Sequence, residues 1–244
     1  MIIYAKCVLT LQATSFSSLV LIFNTKNEFF VRLDKKVNIL LQLRIISRNI
    51  SIEYLKWIKM KIFLVGVSCV GKTTLGKELA KNLGYFFYDL DKEIENYFEK
   101  TIPKIQAMFL TDNSYRKHVA VVLKKIIDEN KNTSYIVALP PSGLRDYYLK
   151  TLKKEEDRVV ISIHDQPENI LKRIVFYDDD SKKIEVNLSE RLKKAYLREI
   201  KLDSTFFNRS YRKHANYKID IDGLSIDESV KKIKEFIESI QTPG

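Results

Sequence analysis

The 244-residue chain has few of the residues that cross-link small proteins or bind metals. It contains two cysteines, Cys7 and Cys69, and three histidines, at positions 118, 164 and 214. Two cysteines that lie far apart provide no disulfide framework and suit a reducing compartment, so we expect a cytoplasmic protein. The histidines and cysteines also lack the spacing of zinc ligands, which argues against a zinc site.

Long apolar runs are scarce as well, and residues 1–59 contain neither glycine nor proline. The run Cys7–Phe23 is interrupted by threonine, serine and glutamine, so it is too polar to span a membrane, and we expect no membrane partner. It also lacks the clean apolar core and cleavage site of a signal peptide. Our hypothesis is that residues 1–59 are an N-terminal extension of uncertain fold, either a leader or an over-read of the start site. An organellar presequence is the alternative, and residues 60–244 form the catalytic domain.

Positive charge is in excess, with a formal net charge of +11. Residues 1–59 hold nine Lys/Arg and three Asp/Glu, so more than half of the excess lies in the first quarter of the chain. No nucleic-acid-binding motif accompanies it, and we expect no nucleic-acid partner. Anionic nucleotides need a positive cleft, which explains the remaining charge.

The most informative motif is Gly66–Thr74, which fits the pattern G-x-x-x-x-G-K-S/T. A predicted buried strand, Lys61–Val65, precedes it, and a predicted helix, Thr73–Leu83, follows it and is closed by Gly84. That context distinguishes a true phosphate-binding loop, or P-loop, from a chance match. The sequence therefore predicts a binding site for a nucleoside triphosphate.

The chemistry of this loop explains its residues. Its two glycines allow a tight curl in which successive N–H groups form a nest for phosphate oxygens, and the helix N-terminus adds positive charge. Lys72 can reach the β- and γ-phosphates, and the Thr73 hydroxyl can bind Mg²⁺. We predict ATP and Mg²⁺ as cofactors. The predicted nucleotide-binding residues of the loop are Gly66, Ser68, Cys69, Val70, Gly71, Lys72, Thr73 and Thr74.

Strand and helix patterns alternate from residue 60 onward. The predicted strands are Lys61–Val65, Tyr85–Tyr88, Tyr135–Leu139, Val159–Ile163 and Tyr217–Ile219. The predicted helices cover residues 73–83, 101–109, 115–129, 167–175 and 189–200, and a capping box at Ser225–Glu228 opens a last one. This alternation predicts an α/β fold of the three-layer P-loop NTPase type, with a parallel five-stranded sheet, helices on both faces and a mobile lid at residues 177–183.

Asp89 and Asp91 directly follow the second predicted strand. Ligands of parallel sheets bind at the carboxyl ends of the strands, where the P-loop also lies. Two carboxylates at i and i+2 can divide the work, one binding Mg²⁺ through water and the other accepting a proton from a substrate hydroxyl. A D-x-D motif alone is a weak signal, but its distance from the P-loop strengthens it.

With these residues the chain resembles the shikimate kinase family of P-loop proteins over about residues 60–240. The resemblance is carried by the P-loop, by Leu83-Gly84, by Asp89-x-Asp91 with Ile94-Glu95, by Thr101-Ile102-Pro103-x-Ile105, and by Tyr115-Arg116. It implies ATP-dependent phosphorylation of shikimate, with Lys72 and Asp91 as the catalytic residues. It also implies Thr73 and Asp89 as the metal site.

The same resemblance assigns residues to the two substrates. Arg116 would pair with the acceptor carboxylate, a bidentate task that suits guanidinium. Arg173 would lie near the adenine and phosphates, and Lys182 or Lys183 would stand in the lid where an arginine normally reaches in. We expect a monomer with a small-molecule acceptor.

Three departures from the family pattern fall on the acceptor half of the site. Pro140-Pro141-Ser142 stands where the family has a glycine triplet, and proline has no N–H to donate. Ser142 is kept as a predicted acceptor contact. Val119 replaces a glutamate three residues after Arg116.

The third departure is Phe207, which replaces an arginine four residues before Tyr211, and we expect Arg209 or Arg212 to substitute for that arginine. Two alternatives therefore stay open beside shikimate phosphorylation. One is a kinase of the same fold with another small acceptor, and the other is a non-catalytic nucleotide-binding protein.

Overall fold

The structure is a computed structural model that describes residues 59–155, 157–178, 180 and 182–241, with the backbone of three strands nearer the N-terminus. The chain forms two compact units, Met1–Tyr54 and Leu55–Gly244. In the first unit, strands β1 (Val8–Leu11), β2 (Leu19–Phe23) and β3 (Phe29–Arg32) pair antiparallel in that order. The sequence analysis predicted no structure for this extension, and its assignment as a leader or an over-read stays a prediction.

The strands of the second unit are β4 (Lys61–Val65), β5 (Phe86–Asp89), β6 (Tyr135–Ala138), β7 (Arg158–His164), β8 (Phe176–Tyr177), β9 (Lys183–Ile184) and β10 (Tyr217–Asp220). Five of them form a parallel sheet with the order β10-β7-β4-β6-β5. The other two, β8 and β9, pair separately as an antiparallel hairpin. The helices are α1 (Lys72–Leu83), α2 (Leu90–Phe98), α3 (Ile102–Gln106), α4 (Asp112–Glu129), α5 (Asp146–Leu152), α6 (Pro167–Lys172), α7 (Glu190–His214) and α8 (Ile226–Gln241). The predicted α/β fold is confirmed.

The central strand shows why the sheet needs helices on both faces. Ile62 and Leu64 belong to one buried apolar cluster, while Phe63 and Val65 belong to the other, and all four are fully buried. Successive side chains of a strand point to opposite faces, so a strand that is apolar throughout must be covered twice.

Local signals start and end several helices as the sequence predicts. Gly84, with a φ of 68°, ends α1 in the left-handed conformation that glycine adopts easily, and its N–H donates to the carbonyl of Ala80. Before α8, the Ser225 N–H donates to Glu228 Oε2 at 2.9 Å and the Glu228 N–H donates to Ser225 Oγ at 3.3 Å. This reciprocal pair is the predicted capping box.

The sequence analysis missed α2 and α5 and ended another helix too early. Helix α7 runs on to His214 instead of ending near residue 200, because no glycine or proline interrupts it. The predicted helix 167–175 is shorter and ends at Lys172. The predicted lid, residues 177–183, falls within the segment of the β8–β9 hairpin. None of the helices in the described part of the chain is long and apolar enough to cross a membrane.

Candidate active site

The P-loop connects β4 to α1. Its first residue, Gly66, lies where a side chain would not fit. A Cβ atom on Gly66 would lie 2.6 Å from the carbonyl oxygen of Ile163 and 2.8 Å from Cγ1 of Val70. Gly71, the N-cap of α1, has a φ of 109°. Both glycines are therefore required by geometry, as the motif predicts.

Lys72 is folded back over this loop. Its Nζ atom donates to the carbonyl oxygens of Gly66 and Val67, both at 2.9 Å. Burial lowers the pKa of Lys72 to about 8, and the nearby carboxylates of Asp91 and Asp89 oppose this fall. The ammonium group thus lies within electrostatic reach of both acidic residues.

Asp89 has two roles at the end of β5. Its Oδ2 atom accepts a hydrogen bond from the Thr73 hydroxyl at 2.5 Å. Its Oδ1 atom accepts from the backbone N–H groups of Asp91, at 3.2 Å, and Lys92, at 3.5 Å, and so caps α2. Capping fixes the carboxylate against the P-loop.

The Thr73 hydroxyl and the Asp89 carboxylate form a donor set that fits Mg²⁺. Mg²⁺ binds oxygen ligands, keeps several waters, and commonly uses only one or two protein groups beside substrate phosphates. The described residues contain no group of three or more His, Cys, Asp or Glu that could hold a metal ion.

Asp91 lies in the first turn of α2. Although part of the residue is exposed, burial of its carboxyl group raises the pKa of Asp91 to about 6. Asp89 adds to this rise and Lys72 opposes it. A carboxylate with a pKa near neutrality can hold a proton briefly and release it again, which suits a general base.

Arg173 is the C-cap residue of α6, and its side chain reaches the P-loop. Its Nε atom donates to the Cys69 carbonyl oxygen at 3.3 Å, and its Nη2 atom pairs with Asp165. Burial raises the pKa of Asp165, but hydrogen bonds from Asn169 and Arg173 outweigh burial and hold it below its usual value. Asp165, whose side chain is fully buried, was not assigned from the sequence and positions Arg173.

The other predicted nucleotide-binding residues of the loop differ in their exposure. Val70 is buried under the loop, and its N–H lies 3.4 Å from the Val67 carbonyl oxygen. Ser68 and Thr74 are exposed, and Cys69 is half-buried with a φ of 58°.

Arg116 is buried on α4, with 8% of the residue exposed. Its Nε and Nη2 atoms both lie 2.9 Å from Oδ2 of Asp146. A buried guanidinium needs such a carboxylate, and that requirement was the signal that could have found Asp146. The sequence analysis missed it because it missed α5.

Tyr148, also on α5, links the two halves of the site. Burial raises its pKa, Asp91 raises it further and Arg116 opposes the rise, so its hydroxyl is within electrostatic reach of both. The residue is 1% exposed, and its hydroxyl has no hydrogen-bond partner among the described residues.

The segment 140–144 is fastened to α7. The Tyr211 hydroxyl donates to the Pro141 carbonyl oxygen at 2.9 Å, and the Ser210 hydroxyl donates to the Leu144 carbonyl oxygen at 2.7 Å. Ser142 is half-buried, and its carbonyl oxygen accepts from the Arg145 N–H at 2.9 Å. The loop therefore lacks backbone N–H groups at Pro140 and Pro141, where a glycine triplet would offer them.

An aromatic side chain, Phe207, stands at the position of the missing arginine. Phe207 stacks on Tyr211 with ring centroids 6.1 Å apart. Arg209 is exposed and, two residues from Tyr211, lies about 200° round the helix from it. The contact of Arg209 with the acceptor stays a prediction.

The lid lysines are exposed on the β8–β9 hairpin. The Lys182 N–H donates to Asp178 Oδ1 at 2.8 Å, and Lys183 pairs with Tyr177 in the hairpin register. Asp180, between the two strands, lies 2.5 Å from Lys104 Nζ on α3. The hairpin therefore contacts the helix that follows α2.

Comparison with known proteins shows what this chain is similar to. A family model described as "Shikimate kinase" matches residues 68–238. The shikimate kinase of Chlorobium phaeobacteroides (strain BS1) is 30% identical over 181 residues, covering 72% of this chain and 87% of that protein. The shikimate kinase of Clostridium botulinum (strain Eklund 17B / Type B) is 32% identical over 181 residues, covering 73% of this chain and 98% of that protein. The crystal structure of shikimate kinase from Aquifex aeolicus matches with a TM-score of 0.55 and 26% identity, covering 76% of this chain and all of that one.

Proposed function

This chain belongs to the shikimate kinase family and is therefore a small-molecule kinase, and we propose that its acceptor is shikimate. The product is then shikimate 3-phosphate, an intermediate of aromatic amino acid biosynthesis. We further propose a cytoplasmic monomer that binds neither nucleic acid nor membranes. The observation that carries the proposal is the cluster of Lys72, Thr73, Asp89 and Asp91 at the carboxyl ends of β4 and β5.

The P-loop half of this cluster supports ATP binding. The N–H groups of the loop and the N-terminus of α1 hold the phosphate oxygens, and Lys72 moves from the loop carbonyls onto the β- and γ-phosphates. Arg173, held by Asp165, extends positive charge along the nucleotide. Thr73 and Asp89 would hold Mg²⁺, which would neutralise the charge that develops on the phosphate oxygens.

Asp91 serves the acceptor side of the transfer. The acceptor oxygen bonds to the γ-phosphorus while the bond from that phosphorus to the β,γ-bridging oxygen breaks and ADP leaves. The hydroxyl proton passes to the Asp91 carboxylate. A pKa of about 6 keeps this group mostly ionised at neutral pH, yet basic enough to take the proton.

Arg116 supports an acceptor that carries a carboxylate. A buried guanidinium with one edge held by Asp146 can offer its other edge as a fork to a second carboxylate. Shikimate has both a carboxylate and ring hydroxyls. The Pro140–Pro141 segment favours the runner-up, a different small acceptor on the same scaffold, because it cannot donate the N–H groups of a glycine triplet.

An acceptor panel separates these two functions. The full chain with ATP and Mg²⁺ should release ADP fastest with shikimate in a coupled assay, against gluconate and nucleoside monophosphates. Faster turnover of another acceptor would replace shikimate while keeping the kinase. ATP binding without any phosphorylated product would support the non-catalytic alternative.

The acidic and alkaline limits of activity follow from the two shifted groups. Asp91 must be ionised and Lys72 protonated, so kcat/KM for ATP should rise as pH passes about 6 and fall as it passes about 8. The bound polyphosphate favours the charged ammonium, so the alkaline limit of kcat should lie at higher pH than that of kcat/KM. Steady-state rates measured from about pH 5 to 9 test this, and a flat profile would remove both groups from the mechanism.

A further inference from the structure

The carboxylate that holds Arg116 comes from an unexpected element. In the family pattern a glutamate follows the arginine by three residues on the same helix, but this chain has Val119, which is fully buried in the apolar core. The partner of Arg116 is instead Asp146, at the start of α5, 30 residues further along the chain.

Two contacts at the same oxygen orient the guanidinium. The Nε and Nη2 atoms of Arg116 both lie 2.9 Å from Oδ2 of Asp146, so the side edge of the group is fixed. The Nη1 atom is 3.7 Å from Oδ2 of Asp112, beyond hydrogen-bonding distance. The end edge, formed by Nη1 and Nη2, therefore keeps N–H groups for another partner.

The backbone around Asp146 is built to hold it there. Asp146 has a φ of 48°, a left-handed conformation that is uncommon outside glycine but tolerated best by Asn and Asp. Tyr148 and Leu152 anchor α5 in the same buried cluster as Val119 of α4. Upstream, the Ser210 hydroxyl fastens the Leu144 carbonyl.

We propose that Asp146 is the positioning residue for Arg116 and that it aims the free edge of the guanidinium at the acceptor carboxylate. The role at the acceptor rests on the proposed function. The orientation of Arg116 does not, because it is a property of the free protein.

Two substitutions at Asp146 separate charge from geometry. Asp146→Asn keeps the size and tolerates the positive φ, while Asp146→Gly removes the acceptor atom without adding backbone strain. We expect Asp146→Asn to raise the KM for the acceptor by about tenfold, and Asp146→Gly by more, with kcat and the KM for ATP within about twofold of wild type. Unfolding temperatures should show that both variants fold.

Asp112→Asn is the matched control, because it removes the other carboxylate near the same guanidinium. The Asp112 side chain is 86% exposed, and exposed pairs contribute little. Its KM for the acceptor should stay within about twofold of wild type. An unchanged KM in both Asp146 variants, or a lower one, would overturn the proposal, and a lower one would show that Asp146 competes with the acceptor.

A second readout works without any acceptor. The Nε–H group of Arg116 should give a slowly exchanging ¹⁵N-resolved signal, assigned by its loss in Arg116→Lys, and Asp146→Gly should abolish it. If no acceptor is turned over but this signal behaves as described, the proposed function fails and the positioning of Arg116 stands. If the signal is unchanged in Asp146→Gly, the positioning role is wrong whatever the acceptor.

Discussion

Replacing Lys72 with alanine should lower kcat by about a thousandfold or more, the largest loss we expect from a single side chain. In the proposed mechanism, Lys72 is the cation that the P-loop places at the reacting phosphates. Its burial beside Asp91 and Asp89 makes the charge effective, because electrostatic interactions strengthen where water is excluded. Phosphoryl transfer depends almost entirely on positioning and charge neutralisation, so little remains without it.

Two further variants test whether the loss of activity comes from misfolding or from the removal of any lysine on α1. Lys72→Met keeps most of the apolar stem of the lysine side chain. It should be as inactive as Lys72→Ala and should unfold at a temperature similar to that of wild type. Lys77→Ala removes an exposed lysine from the same helix and should keep turnover within about twofold of wild type. Lys72→Ala with kcat near that of wild type would remove Lys72 from the reaction.

Replacing Asp91 with asparagine should lower kcat by roughly a hundredfold to ten-thousandfold, the range of a positioned general base. ATP should still bind, because the P-loop, Thr73 and Asp89 are untouched.

The same substitution should not lower the stability of the protein, although it lowers its activity. The folded-state pKa of Asp91 is raised to about 6, so its ionisation makes the native state less stable as pH rises from the ordinary carboxyl range through 6. Above that pH, Asp91→Asn should therefore unfold at the same temperature as wild type or a higher one.

The control for this variant is the second acidic residue in the first turn of α2. Glu93→Gln removes a neighbouring charge without touching the cluster, and its turnover should match wild type within about twofold. Turnover of Asp91→Asn equal to that of Glu93→Gln would show that Asp91 is not the base.

The ATP half of the site could be predicted because its signals are local. The P-loop, its flanking strand and helix, and the end of β5 each follow from a few adjacent residues, and strand ends of a parallel sheet meet at one edge. Lys72, Thr73, Asp89 and Asp91 therefore lie together as the sequence suggested. Helix α2 was missed because a D-x-D segment is typical of turns, whereas Asp89 acts here as an N-cap.

The acceptor half could not be predicted in the same way, because its contacts join distant segments. Asp146 reaches Arg116 across 30 residues, and the Tyr211 hydroxyl reaches the Pro141 carbonyl across 70. Spacing along the chain does not reveal such pairs.

Titration calorimetry of ATP–Mg²⁺ into the full chain, run in parallel on wild type, Lys72→Ala and Asp91→Asn, tests the central claim most directly. We predict saturable heat for wild type and Asp91→Asn and a large loss of affinity for Lys72→Ala. Wild-type protein that is folded but gives no heat with ATP–Mg²⁺ would contradict the claim that the P-loop and the Asp89–Asp91 segment form one site for phosphoryl transfer.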